Sequence, residues 1–213
     1  MIEKKWVREG DMSFEVHLGE GLHTGLFLDQ RDNRGWIRSQ AKGKRVLNLF
    51  SYTGAFSVAA LKGGAKEVVS VDFSKNYLGW LQRNVEHNGL GADTAPTYAM
   101  DVFEFLKRSK KRAEMYDLII IDPPTFSRGK RIFSTEKDLG GLVALASELL
   151  RKGGHLFISI NTQGLSPSQF RQEVEKGVRS LDLRILKIFS LPFDFRLSTE
   201  DSKNPSLKAC WVG

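Results

Sequence analysis

The sequence predicts an α/β fold: a doubly wound, mostly parallel sheet of seven strands, helices on both faces, an antiparallel last strand and a small N-terminal β-hairpin. Three observations predict it. Tyr116-Asp117-Leu118-Ile119-Ile120-Ile121-Asp122 sets four branched aliphatics in a row, the pattern of a strand buried on both faces in a parallel sheet. From residue 45 onward, short apolar runs alternate with longer segments of helical period, as in successive βαβ units. The last two strand candidates are joined through Leu191-Pro192-Phe193-Asp194-Phe195-Arg196, a connection that suits an antiparallel pair better than a crossover.

The elements follow in order. Residues 6–18 alternate around Glu9-Gly10-Asp11 and predict a hairpin. Residues 45–50 form a strand, residues 55–62 a helix stopped by Gly63-Gly64, and residues 67–72 a second strand. Ser74 is a candidate N-cap for a helix reaching about residue 88, with Gly89 as its stop. Strands at 95–100, 116–122 and 153–160 have helices near 102–109 and 135–150 between them. A helix at 168–180 precedes the final strands, 184–190 and 207–212.

Bulk composition excludes several classes. The 213 residues, 41% hydrophobic and 27% charged, suffice for one well-cored domain. There is no apolar run of membrane-spanning length, and Met1-Ile2-Glu3-Lys4-Lys5 is no signal-peptide start, so a cytoplasmic protein without membrane contact is expected. The single cysteine, Cys210, excludes an internal disulfide, and no Cys or His spacing matches a metal site. A net charge of +7 points toward a polyanionic partner. Basic clusters at Lys107-Arg108-Ser109-Lys110-Lys111-Arg112 and Arg128-Gly129-Lys130-Arg131 sharpen that reading. The first equally suits a solvated helix end.

The chemistry-bearing residues fall at strand ends. Pro123 and Pro124 stop the strand that ends at Asp122, because neither can donate to a ladder. Ligands of open α/β sheets bind at that edge. An acid, a rigid turn and the ring of Phe126 suit a flat heterocycle, although an acid-Pro-Pro turn alone is also an ordinary turn. Phe50-Ser51-Tyr52-Thr53-Gly54 follows the first sheet strand with one glycine where a dinucleotide fold needs three. Asp72 ends the next strand, placed to accept both hydroxyls of a ribose, and Asp101 follows the third. Each acid alone could be a helix N-cap. Three at successive strand ends, beside a loop lacking the pyrophosphate glycines, indicate adenosine without a phosphate chain, with S-adenosylmethionine as the leading ligand.

Asn48 to Gly54, Asp72, Asp101 and Asp122-Pro123-Pro124-Thr125-Phe126 together resemble class I S-adenosylmethionine-dependent methyltransferases, whose fold is Rossmann-like. Gly25-Leu26-Phe27-Leu28-Asp29-Gln30-Arg31-Asp32-Asn33-Arg34 resembles the cofactor lid of bacterial 23S rRNA methyltransferases. That group includes the guanine-N7 domain of the K/L fusion protein and the cytosine-C5 enzyme I. The resemblance implies a hairpin and lid extension over residues 1–35 and a methyltransferase domain over 36–213. It implies that Asn48, Phe50, Ser51, Thr53 and Gly54 line the methionine and ribose, that Asp72 and Phe73 meet the ribose and adenine, and that Asp101 and Val102 meet the adenine. Asp29, Gln30 and Arg31 would close on the methionine end; for Arg31 an ion pair inside its own charged cluster is the competing reading. Asp122, Pro123, Pro124 and Phe126 would form the catalytic edge, with Asp122 also beside the cofactor. Arg128, Lys130 and Arg131 would bind RNA. Longer relatives carry a separate RNA-binding domain before the methyltransferase, so such a domain or a second chain is an expected partner.

Methylating cytosine C5 requires a cysteine to add at C6. Cys210 lies within Leu207-Lys208-Ala209-Cys210-Trp211-Val212, which reads as a buried strand. Guanine N7 has its own lone pair and needs no thiol, so a base nitrogen of ribosomal RNA is the favoured acceptor. A cytosine-C5 enzyme, a non-catalytic RNA-binding module and a nicotinamide oxidoreductase are the alternatives.

Overall fold

The computed structural model describes residues 3–19, 24–128, 132–195 and 203–213. The chain divides into two compact units, Met1–Met100 and Asp101–Gly213.

The first unit opens with β1 (Glu3–Glu9) and β2 (Met12–Leu18), an antiparallel pair turning at Gly10 and Asp11. Met12, Phe14 and Val16 alternate into the core as period 2 requires. A 3-10 turn over Leu28–Gln30 runs into α1 (Arg31–Gln40). This helix is not foreseen in the sequence reading, because only Trp36 and Ile37 are strongly apolar and no stripe of period 3.6 emerges. Then come β3 (Arg45–Leu49), α2 (Ala55–Lys62), β4 (Glu67–Asp72), α3 (Lys75–His87) and β5 (Thr97–Ala99). β3 pairs parallel with β4, and β4 with β5. Val46 to Leu49 and Val68 to Val71 are buried without alternation, so both faces of these strands are covered. Ser74 caps α3 as expected, its side chain accepting from the Tyr77 N–H.

The second unit holds α4 (Val102–Lys111), β6 (Tyr116–Ile121), β7 (Phe126–Arg128), β8 (Ile132–Ser134), α5 (Thr135–Ser147), β9 (Leu150–Asn161), α6 (Pro167–Val178), β10 (Ile185–Phe189) and β11 (Leu207–Val212). β6 pairs parallel with β9, while β11 runs antiparallel to both β9 and β10. With three sheet strands in the first unit and four in the second, the α/β class, the antiparallel last strand and the N-terminal hairpin match expectation. α6 starts on a capping box, Ser166 with Gln169, and Pro167 in its first turn. β7 and β8 form a ribbon the sequence reading treats as loop; at three residues each, neither strand is long enough to show a period. No helix among the described residues is long and apolar enough to cross a membrane.

Candidate active site

In the first unit the turn after β3 is held against its own backbone preference. Phe50 (φ 57°), Tyr52 (φ 49°) and Gly54 (φ 79°) all lie in the left-handed region, where a non-glycine residue costs about 1–2 kcal/mol. Four hydrogen bonds fix it: Ser51 N to Val71 O at 3.0 Å, Gly54 N to Ser51 O at 2.8 Å, Tyr52 N to Asp72 Oδ2 at 2.9 Å, and Asn84 Nδ2 to Thr53 O at 2.8 Å. Such over-determined strain is typical of sites that hold a ligand. Gly54 has a second role. A Cβ there would stand 2.3 Å from Leu81 Cγ, so the close approach this glycine permits is to α3 of the protein itself.

Asp72 receives one N–H on each oxygen, Tyr52 on Oδ2 and Ser74 on Oδ1, both at 2.9 Å. It is not the cap of α3, a role Ser74 fills. Burial pushes its carboxyl above the ordinary carboxylate range, against the pull of those N–H groups. Each oxygen keeps a lone pair for a hydroxyl donor. Phe73 is 61% exposed and free to cover a ring. Ser51 is buried, and its Oγ has no hydrogen-bond partner, an orphan that a polar ligand atom would satisfy. Asn48 and Thr53 face inward instead. Asn48 Nδ2 donates to Ser57 Oγ at 2.8 Å, and Thr53 Oγ1 donates to Gly25 O at 2.6 Å.

The lid motif is pinned from below. Arg34 is 1% exposed; its guanidinium grips both carboxylate oxygens of Glu9, with Nε to Oε1 at 2.9 Å, and donates to Phe27 O at 2.8 Å. Gln30 is buried and accepts from Asn33 Nδ2 at 2.6 Å. Arg31 Nε meets Asp32 Oδ1 at 3.1 Å, the competing ion-pair reading. Asp29 is half-buried, its carboxyl raised by burial. Gly25, at φ 102°, lies against Trp80: a Cβ there would stand 2.2 Å from Cζ2. Phe27, Tyr52 and Tyr77 assemble an aromatic group, Tyr52 to Tyr77 at 4.5 Å edge-on and Tyr52 to Phe27 at 5.6 Å. Sequence reasoning misses Arg34 and this group; charge beside charge in the motif hides which arginine is buried.

In the second unit the turn after β6 is fastened at three points. Ser159 Oγ donates to Asp122 Oδ1 at 2.5 Å, Thr125 Oγ1 to Asn161 O at 2.7 Å, and Thr135 Oγ1 to Pro124 O at 2.8 Å. Pro123 is buried, and Phe126 is 49% exposed at the start of β7. Asp101 is the N-cap of α4, its Oδ1 accepting from Glu104 N at 3.1 Å, and Val102 is buried. The cap engages one oxygen and leaves the other. Lys208 is buried in β11, donating to Thr162 O at 2.8 Å and Pro205 O at 2.5 Å; burial lowers its pKa. A lone lysine within the otherwise apolar stretch is the signal that finds it. Cys210 is wholly buried, and burial pushes its thiol up to about 12. Of the RNA-binding candidates, Lys130, Arg131 and the side chain of Arg128 lie outside the described residues. No cluster of three potential metal ligands occurs among the described residues.

Residues 2–196 match the family of S-adenosylmethionine-dependent methyltransferases. The chain is 38% identical over 212 residues to the ribosomal RNA large subunit methyltransferase K/L of Syntrophotalea carbinolica, covering 98% of this chain and 28% of that protein. It is 36% identical over 208 residues to the ribosomal RNA large subunit methyltransferase K of Neisseria meningitidis serogroup B, covering 96% and 55%. The chain thus spans about half, or less, of the length of these relatives. A crystal structure assigned as a methyltransferase complexed with SAH superposes with a TM-score of 0.95 at 39% identity, over 99% of this chain and 56% of that one. A second, from Streptococcus mutans, gives 0.92 at 37%, over 99% and 55%.

Proposed function

We propose, since the chain belongs to the S-adenosylmethionine-dependent methyltransferase family, that it transfers a methyl group from S-adenosylmethionine to a base of ribosomal RNA, with guanine N7 of 23S rRNA as the acceptor best suited to its chemistry. The observation that carries the cofactor is the Asp72 carboxylate, held on each oxygen by a backbone N–H and retaining lone pairs for two ribose hydroxyls. The orphan Oγ of Ser51 fits the same ligand. Phe50, Ser51, Tyr52 and Gly54 would line the methionine and ribose, with Asn48 and Thr53 supporting the turn from inside. Phe73 and Val102 would cover the adenine, while Asp72 and the uncapped oxygen of Asp101 accept from the nucleoside. Asp29, Gln30 and Arg31 belong to the lid over the methionine end. The solved relative in complex with SAH supports this ligand class.

The relatives' names support ribosomal RNA as substrate, and a cytoplasmic location goes with it. The positioned turn from Asp122 to Phe126 would hold an extruded base, its carbonyls and carboxylate accepting from base N–H groups and Phe126 stacking on the ring. The cofactor's sulfonium supplies an electrophilic methyl group. A guanine N7 lone pair needs only alignment with it, so the protein's contribution is orientation and exclusion of water. The buried thiol of Cys210, raised to about 12, argues against the cytosine-C5 alternative, which requires an accessible thiolate. Membership in the family leaves a nicotinamide oxidoreductase without support, and a non-catalytic RNA-binding module would have no use for the Asp72 arrangement.

The test is methyl transfer from labelled S-adenosylmethionine to rRNA lacking its native modifications, followed by mass spectrometry of the nucleosides. 7-Methylguanosine is the expected product. 5-Methylcytidine would replace the reading by its alternative, and no RNA label at all would overturn it.

A further inference from the structure

The hairpin β1–β2 is fastened to its unit far more firmly than a two-stranded ribbon requires. Glu9 is gripped by Arg34 and Asp11 by Arg38, Nη2 to Oδ2 at 2.8 Å. Asn88 bonds both the N–H and the carbonyl of Ser13, at 2.9 and 2.6 Å. Asn84 Oδ1 accepts from Glu15 N at 2.8 Å, and Arg83 clasps both carboxylate oxygens of Glu15 at 2.7 and 3.0 Å. Isolated two-stranded hairpins are marginal; this one is a rigid platform.

Its two faces differ. Val7, Phe14 and Val16 lie on the inward face, as register and burial show. The other face of β1 carries Lys4, Trp6 and Arg8 at successive i+2 positions, all exposed. Trp6 is 42% exposed, and its indole lies flat on the His87 ring of α3, centroids 3.6 Å apart and planes 8° from parallel. One ring face is thereby covered and the rotamer fixed, which leaves the rest of a preoriented indole toward solvent. Arg83, one turn before His87 on α3, is exposed as well. Lys4 has no ion pair among the described residues, and Arg8 reaches only the Gly10 carbonyl at 3.4 Å. Glu15, on the same face, is neutralised by Arg83, which leaves Glu86 as the opposing charge on α3.

We propose that this shelf, Trp6 on His87 flanked by Lys4, Arg8 and Arg83, is a docking surface for unpaired RNA, the indole stacking on one base and the cations holding the phosphates on either side. The proposal rests on the reading that the substrate is RNA. An aromatic ring takes any base by its π-face, but only where that face is not already stacked within a duplex. The surroundings favour a nucleic acid over a protein: no aliphatic side chain accompanies Trp6 on that face of β1, whereas a protein interface has an apolar core depleted of charge. A fixed ring also loses little entropy on binding.

The experiment measures affinity of the full chain for a short unstructured RNA and for its duplex across a salt series, with SAH titration in parallel. Trp6→Ala should weaken single-strand binding on the order of 5- to 100-fold with an unchanged salt slope, Trp6→Phe should retain most of it, and SAH affinity should stay at the wild-type value. Lys4→Glu with Arg8→Glu should lower the salt slope by about two contacts. Wild-type protein that binds RNA while Trp6→Ala binds it equally well overturns the shelf and leaves the RNA reading standing. Wild-type protein that binds SAH but no RNA overturns the RNA reading itself and the shelf with it. Unchanged RNA affinity with altered sedimentation of Trp6→Ala assigns the shelf to protein contact and also overturns the proposal.

Discussion

The backbone N–H of Tyr52 donates to Oδ2 of Asp72 at 2.9 Å, tying the left-handed turn after β3 to the acid that closes β4. Asp72→Ala therefore removes both a proposed ribose acceptor and a brace of the turn. S-Adenosylmethionine binding should weaken by about 1.5–3 kcal/mol, the range for hydrogen bonds to a charged group. Wild-type affinity by calorimetry would take Asp72 out of the site.

A pH dependence follows from the same carboxyl. Burial raises its folded pKa, so on acidification it takes up a proton before an ordinary carboxyl does. Only the ionised form accepts from two hydroxyls. Cofactor affinity should fall as the pH drops toward the carboxylate range, beginning above the ordinary value of 3.8, and Asp72→Asn should abolish that dependence. Calorimetric titrations at several pH values, with folding monitored by circular dichroism, check it; a wild-type profile flat down to the ordinary carboxylate range would contradict it.

Gly25 and Gly10 both have positive φ, 102° and 62°, but a Cβ at Gly25 meets Trp80 at 2.2 Å while one at Gly10 meets nothing within 4 Å. Gly10→Ala should cost about 1–2 kcal/mol, the left-handed penalty alone. Gly25→Ala adds overpacking of about 1–3 kcal/mol and should also weaken cofactor binding, because Thr53 bonds the Gly25 carbonyl. Urea unfolding of the two variants gives the comparison, and equal losses would refute the packing argument.

The Arg83 hydrogen bond, and next the His17 contact, hold Glu15 at about 2 against an ordinary 4.5. Since the folded pKa is depressed, this stabilisation is complete above 4.5 and is lost as the pH falls toward 2. Arg83 is partly exposed, so the pair's contribution is set at about 1–3 kcal/mol after screening. Glu15→Gln should lose that much at neutral pH and little near pH 2. Urea midpoints across that range test the sign.

Phosphate contacts release counterions, so neutralising Arg128, Lys130 and Arg131 together should flatten the salt dependence of RNA binding by up to about three contacts. Phe126→Ala should instead cost about 1–3 kcal/mol of RNA affinity with little change in slope, cofactor binding intact. A triple variant with the wild-type slope would move RNA recognition away from this loop. Cys210→Ser, read in the same transfer assay, should keep most activity if folded; complete loss with a trapped covalent RNA adduct would instead establish C5 chemistry.

The sequence by itself determined what local chemistry encodes. Leu118 to Ile121 announce a strand covered on both faces because such a strand has no polar side, and β6 is that strand. Residues 55–62 and the Ser74 cap stand where the helix signals put them, and the strand-end positions of Asp72, Asp101 and Asp122 follow from the strands. Only the tertiary structure decided what each polar group is bonded to. Asp101 spends one oxygen as a helix cap, Thr53 turns inward to Gly25, and Lys208 is buried between two carbonyls. α1 was illegible because its buried residues include Asn33 and Arg34, polar side chains that periodicity reads as solvent-facing. Arg34 can be buried because Glu9, 25 residues away, neutralises it. Periodicity reports how apolar side chains partition from water; a charge pair exists only once folding has closed the distance between its members.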